Sequence, residues 1–185
     1  MTEPFASNSE RGSFSLRQTS VAHTLQEVSS AIPLIRYGTV LDLFTGDGAS
    51  IVPIQRVIAP RRIICAERSR GTVAVGQKNG RFDGVSEGDI LIRDAEDAVR
   101  RLANSEEYVD FVGGFGVSDE YISRPDSFLK VTQSIVRPGG AILMTGPEGF
   151  VEDMFAGWQQ NYGGEFVVRE NAVHDWDRNM YLWVK

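Results

Sequence analysis

Three carboxylates and several glycines stand at spacings that suit a polar ligand. Asp42 is the single acid in the apolar run Val40-Leu41-Asp42-Leu43, and the chain then turns through Phe44, Thr45, Gly46, Asp47 and Gly48. A strand, a glycine turn and a helix start bring backbone N–H groups toward an anion or polar group. Glycine lets the backbone come close with no Cβ in the way. Glu67 and then Arg68 close the next apolar run, about 20 residues further on. Ligands of a doubly wound sheet sit outside the carboxyl ends of its strands, so Glu67 is placed to accept hydrogen bonds from a ribose diol; a surface Glu balanced by Arg68 and Arg70 is the competing reading. In Glu87-Gly88-Asp89-Ile90, Asp89 is placed to accept from an exocyclic amine while Ile90 packs on a flat ring. An ordinary turn aspartate is the competing reading. Gly113 and Gly114 end a fourth run, where a ligand's reactive end would meet a second substrate; a plain loop is the alternative.

The chain has two histidines, His23 and His174, and each is a weak candidate for a general base. His23 would need its helix to cap the site, and His174 falls in a polar connection near the C-terminus.

These residues need strands and helices to hold them. Strand-like runs fall at 39–44, 62–66, 84–86, 108–112, 141–145, 165–171 and 180–184. Helical stretches fall near 49–58, 69–79, 94–104, 125–136 and 150–161. Five strands each followed by a helix imply parallel crossover units and a sheet covered on both faces. The last two strands are joined by a short polar segment, which implies an antiparallel hairpin. Before the first strand, Val21, Leu25, Val28, Ile32 and Ile35 make one helical face, with Ser20 as N-cap and Pro33 as its stop. Residues 1–19 are polar and read as a flexible tail, or as a lid that orders on binding. Residues 20–185 then form one domain, since 185 residues suit a single sizeable core.

Composition narrows the function. A net charge of −6 argues against a broad grip on nucleic acid. Arg61, Arg62, Arg68, Arg70, Lys78 and Arg81 are close in sequence but read as a solvated helix face. The lone Cys65 lies in an apolar run and reads as a buried core residue. One cysteine and two histidines leave no basis for a metal centre. No apolar run approaches a membrane span, and the start lacks a signal-peptide pattern, so a cytoplasmic protein is expected.

Together these motifs resemble the class I S-adenosylmethionine-dependent methyltransferases, over about Ser20 to Lys185. Residues 40–48 look like the family's first motif, Glu67 matches its ribose acid and Gly88-Asp89-Ile90 its adenine-side motif. Val136-Arg137-Pro138-Gly139-Gly140 looks like its entry to the fifth strand. The resemblance implies an α/β, Rossmann-like, doubly wound seven-stranded sheet in the order 3-2-1-4-5-7-6, with strand seven antiparallel and helices on both faces. It also implies S-adenosyl-L-methionine as cofactor. The cofactor site would comprise Asp42, Phe44, Thr45, Gly46, Asp47, Gly48, Glu67, Arg68, Asp89, Ile90, Gly113 and Gly114.

Two departures from the family pattern bear on the substrate. Phe44 stands where the first motif usually opens with glycine, a form familiar among RNA methyltransferases of the superfamily. Gly113-Gly114-Phe115-Gly116 replaces the N/D-P-P-Y/F motif of enzymes that methylate amino groups of nucleic acids. With the acidic charge, this favours a small-molecule or protein substrate over nucleic acid, and the first reading is methyl transfer onto a small molecule by in-line displacement. A catalytically reduced protein that binds the cofactor or serves a partner is the second reading, and an RNA methyltransferase the third. A dinucleotide oxidoreductase would need glycine where Ile51 stands. Aminopropyl transferases share the fold but carry an acidic motif at the fourth strand. A homodimer is left open.

Overall fold

The computed structural model describes residues 8–31, 38–117, 122–147, 149–168 and 179–185. The sheet is built from β1 (Thr39–Leu43), β2 (Arg62–Glu67), β3 (Ile90–Ile92), β4 (Val109–Gly114), β5 (Val136–Gly146), β6 (Glu165–Val168) and β7 (Asn179–Val184). The helices are α1 (Asn8–Ala31), α2 (Ile51–Val57), α3 (Arg70–Lys78), α4 (Ala95–Asn104), α5 (Pro125–Ile135) and α6 (Phe150–Tyr162). The strands pair in the order β3-β2-β1-β4-β5-β7-β6. Those from β3 to β5 run parallel, and β7 is antiparallel to both β5 and β6.

Alternation along the strands builds two cores. Val40, Ile63, Cys65 and Phe111 face α1, α2 and α3, where Val21, Leu25, Ile51, Ile54 and Val73 meet them. Leu41, Leu43, Ile64 and Val112 face α4, α5 and α6, where Val99, Leu102, Leu129, Phe155 and Trp158 meet them. Helices therefore cover both faces of an α/β sheet. Cys65 is buried in the first core, and that burial raises its thiol pKa well above the usual value. Among the described residues no helix is long and apolar enough to cross a membrane.

Three elements differ from the sequence-based expectation. Helix α1 opens at Asn8, well before Ser20, so residues 8–19 are helical. The third strand is Ile90–Ile92, not 84–86, and a single 3₁₀ turn over Glu87–Asp89 precedes it. β5 begins at Val136, so Arg137-Pro138-Gly139-Gly140 lies inside the strand; Lys185 donates its N–H to the Gly140 carbonyl and accepts from Gly139. Pro33, Ile32, Ile35 and His174 lie outside the described residues.

Helix α3 approaches the turn after β1 very closely. A Cβ on Gly76 would stand 2.5 Å from the Asp47 carbonyl oxygen and 2.5 Å from the Phe82 ring. Helix propensity alone would favour alanine here by ~1 kcal/mol, but overpacking against backbone costs about 1–3 kcal/mol. Gly76→Ala is expected to lower the urea midpoint; an unchanged or raised midpoint would show that α3 can back away from the turn.

Candidate functional site

The carboxyl ends of β1, β2, β3 and β4 open into one cavity of about 590 Å³. Each strand end contributes a distinct group. Phe44, Thr45 and Gly46 follow β1; Glu67, Arg68 and Ser69 come from the end of β2; Arg93, Asp94 and Ala95 follow β3; Phe115 and Gly116 follow β4. Arg17 and Val21 of α1, together with Glu96, Asp97 and Ser123, also border it.

Glu67 is the central side chain. Its Oε2 accepts the Gly46 N–H at 3.0 Å and its Oε1 accepts the Ser69 N–H at 2.8 Å. Each carboxylate oxygen can accept a second bond, so the group keeps acceptor capacity toward the cavity. Ser69 also caps α3, its Oγ accepting the Thr72 N–H. The β2 end and the start of α3 are thereby set by the same carboxylate.

The turn after β1 winds through positive φ at Phe44 (+59°), Gly46 (+59°) and Gly48 (+87°). Phe44 is the costly one, since a side chain in the left-handed region costs roughly 1–2 kcal/mol. The turn does not present a row of free donors. The Gly46 N–H goes to Glu67, and the Gly48 N–H goes to the Thr45 carbonyl at 3.0 Å. The expected cradle of N–H groups is thus partly consumed by the protein itself. A diphosphate would also face the Glu67 carboxylate, which repels it. Ile51, where a dinucleotide fold needs glycine, is fully buried in the core.

Several residues assigned to the site from sequence lie behind it. Asp42 is fully buried on the α1–α3 side, where Ser50 Oγ donates to its Oδ2 at 2.6 Å, and Ser50 itself borders the cavity. Asp47 accepts from Arg17 and Arg81, and Gly48 packs against Arg81 and Phe82. Gly113 and Gly114 leave room for protein, not for a ligand. A Cβ on Gly114 would meet Met144 Sδ at 2.5 Å, and one on Gly113 would meet the Phe115 ring at 2.8 Å. The neighbouring Phe115 and Gly116 reach the cavity instead.

Asp89 and Ile90 require a correction. Because β3 starts at Ile90 and runs parallel to β2, Asp89 sits at the amino end of the strand, away from the cavity. Its Oδ1 accepts from Arg62 Nε at 3.0 Å and Nη2 at 2.6 Å, and Arg62 also pairs with Glu107. The place expected of Asp89-Ile90 is taken by Asp94-Ala95. Asp94 was legible as the residue opening a helical stretch, but not as a site residue until the strand was placed.

His23 is half exposed beside Glu27, 3.6 Å away, and does not border the cavity. Among the described residues no group of three or more His, Cys, Asp or Glu side chains could hold a metal ion. The arginines that are close in sequence are spread apart, with Arg62 on Asp89, Arg81 on Asp47 and Arg68 at the cavity. Arg17 and Val21 fall outside the expected site because only the docking of α1 brings them to this edge, whereas Phe115 and Gly116 belong to the expected glycine-rich segment after the fourth strand and border the cavity in place of Gly113 and Gly114.

Comparisons with solved structures agree with this fold. An amino pentose methyltransferase of calicheamicin biosynthesis from Micromonospora echinaspora, solved with SAM bound, superposes with a TM-score of 0.65 at 11% identity, over 98% of each chain. The chain has the fold of the S-adenosylmethionine-dependent methyltransferases. A putative methyltransferase of Methanococcus maripaludis covers all of this chain and is itself covered to 97%, with a TM-score of 0.64 at 13% identity. A T. thermophilus 16S rRNA methyltransferase, in complex with AdoMet and guanosine, matches 89% of this chain with a TM-score of 0.61 at 17% identity. This chain spans 43% of that longer protein. No protein-family model matches the sequence, and a search of curated proteins finds no match. In this methyltransferase fold the cavity lies where the parallel strands end.

Burial pushes the Asp42 carboxyl up to about 7; hydrogen bonds from Ser50 and Thr45 oppose the shift, and the Glu67 charge adds to it. The folded state therefore holds this proton more tightly than the unfolded chain. The associated stability is full below the unfolded value of 3.8 and is lost as pH rises through about 7. Asp42→Asn should flatten the fall in unfolding free energy between these limits, by up to about 4 kcal/mol. Urea titrations across that range check it; an unchanged slope would place the linked proton elsewhere.

Proposed function

We propose that this protein is an S-adenosylmethionine-dependent methyltransferase acting on a small molecule. The observation that carries the reading is Glu67, a carboxylate locked by two backbone N–H groups and bordering the cavity at the end of β2. A rigid acceptor pair at that point suits the vicinal hydroxyls of a ribose. Asp94 and Ala95 supply an acceptor and an apolar surface for the adenine, at the end of β3. Thr45, Gly46 and Ser50 border the space for the methionine portion, and Phe115 and Gly116 border the transfer site. The cofactor supplies an activated methyl on a sulfonium sulfur. The protein's task is to align the acceptor with that methyl and to exclude water.

The net charge of −6 and the dispersal of the arginines favour a small acceptor over RNA. A second reading, cofactor binding without catalysis, is favoured by one feature: no His, Lys, Tyr or Cys is among the described residues that border the cavity.

Isothermal calorimetry with S-adenosylmethionine and S-adenosylhomocysteine tests the cofactor. Micromolar or tighter binding to both is expected, and folded protein that gives no heat with either excludes the reading. Glu67→Ala should weaken binding by ~1.5–3 kcal/mol, the typical worth of hydrogen bonds to a charged group. Unchanged affinity would remove Glu67 from the ribose site. Methyl-labelled cofactor incubated with a metabolite extract separates the two functions. Transfer of label to a small molecule supports the enzyme, and tight binding with no transfer supports the scaffold.

A further inference from the structure

We propose that Arg17 is the anion-binding residue of this cavity, taking the carboxylate at the amino-acid end of the ligand and thereby fastening the N-terminal half of α1 over the glycine turn. The inference rests on the cofactor reading above and adds to it a specificity-determining residue and a tie between the ligand and α1. The first observation is the small use the protein makes of Arg17. A guanidinium carries five N–H donors. Among the described residues, the one hydrogen bond of Arg17 runs from Nη2 to Asp47 Oδ2 at 3.3 Å, long for a charged pair. Its Nε is buried and has no acceptor. The side chain is 35% exposed and borders the cavity beside Thr45 and Gly46.

The second observation is charge. Asp47 is already neutralised by the closer Arg81, so the trio Arg17, Asp47 and Arg81 keeps one positive charge. The other cations bordering the cavity, Arg68 and Arg93, stand at the ends of β2 and β3. At the β1 end, where the methionine portion would lie, Arg17 is the cation available among the described residues. An α-carboxylate matches the planar fork of a guanidinium in two parallel bonds.

The third observation concerns what holds α1. Its second half docks through Val21, Leu25 and Val28, all buried. Nearer the N-terminus, Leu16 is 51% exposed. Among the described side chains there, Phe14 has its ring 3.7 Å from the Arg81 guanidinium carbon and Arg17 pairs with Asp47. A carboxylate bound by Arg17 adds a tie between this half of the helix and the ligand. Helix docking and carboxylate binding then strengthen each other.

The test compares S-adenosylhomocysteine with methylthioadenosine, which keeps the nucleoside and thioether but lacks the amino acid. Wild-type protein should prefer S-adenosylhomocysteine. Arg17→Ala should weaken S-adenosylhomocysteine by about 10- to 100-fold and leave methylthioadenosine unchanged. Arg17→Lys, which keeps the charge, should recover part of the loss. Hydrogen exchange over residues 8–20 should slow with S-adenosylhomocysteine and not with methylthioadenosine. Equal weakening of both ligands would make Arg17 a scaffold residue and overturn the proposal, as would unchanged affinity for S-adenosylhomocysteine. Wild-type protein that binds methylthioadenosine and discriminates no further also overturns it, while leaving the nucleoside site intact. Wild-type protein that binds neither ligand overturns the cofactor reading and this one with it.

Discussion

The Glu67 carboxylate holds the site together. By accepting N–H bonds from Gly46 and Ser69, one side chain joins the turn after β1 to the start of α3. The strands themselves reinforce the join at backbone level, where Thr45 donates to the Ala66 carbonyl and Arg93 donates to the Glu67 carbonyl. Three strand ends are thereby fixed to one another before any ligand arrives. Such pre-organisation lowers the ordering cost of binding.

The same constraint decides which ligands suit the edge. A phosphate site needs a helix start with free N–H groups and no opposing charge. Here the donors of Gly46 and Gly48 are used internally, and an acid stands over the turn. The left-handed backbone at Phe44, Gly46 and Gly48 serves to bend the chain around that acid. Phe44 accepts the steric cost because its ring packs against the core beside Gly114, which in turn must be glycine to clear Met144. A neutral, hydroxyl-rich nucleoside is the complement of such a surface.

Local patterns were read well where each residue's role depends on its near neighbours. Val40 to Leu43 alternate between two cores as a buried parallel strand must, and Glu67 ends the next strand at the register its apolar run implies. The third strand lies away from its expected place, since Gly84-Val85-Ser86 carries one apolar residue and forms no strand. Ile90–Ile92 is too short for its own periodicity to declare it, so Asp89 was placed at the wrong end of the sheet. The polar composition of residues 8–19 likewise gives no sign of the helix there, whose Phe14 and Arg17 meet Arg81 and Asp47 far along the chain.

By itself the sequence determined the α/β layering, the strand-turn-helix unit around Gly46, and Glu67 as the acid that ends the second strand. These follow from periodicity, glycine's access to positive φ and the chain-order rule for parallel strands, all of which act locally. Tertiary structure alone decided which groups border the cavity. It gave Asp94 the place expected of Asp89, since parallel pairing fixes which end of β3 meets Glu67. It turned Gly113 and Gly114 into packing residues, because Met144 and Phe115 fill the space beside them. It brought Arg17 to the edge through the docking of α1, a contact between residues 30 positions apart that no local pattern encodes.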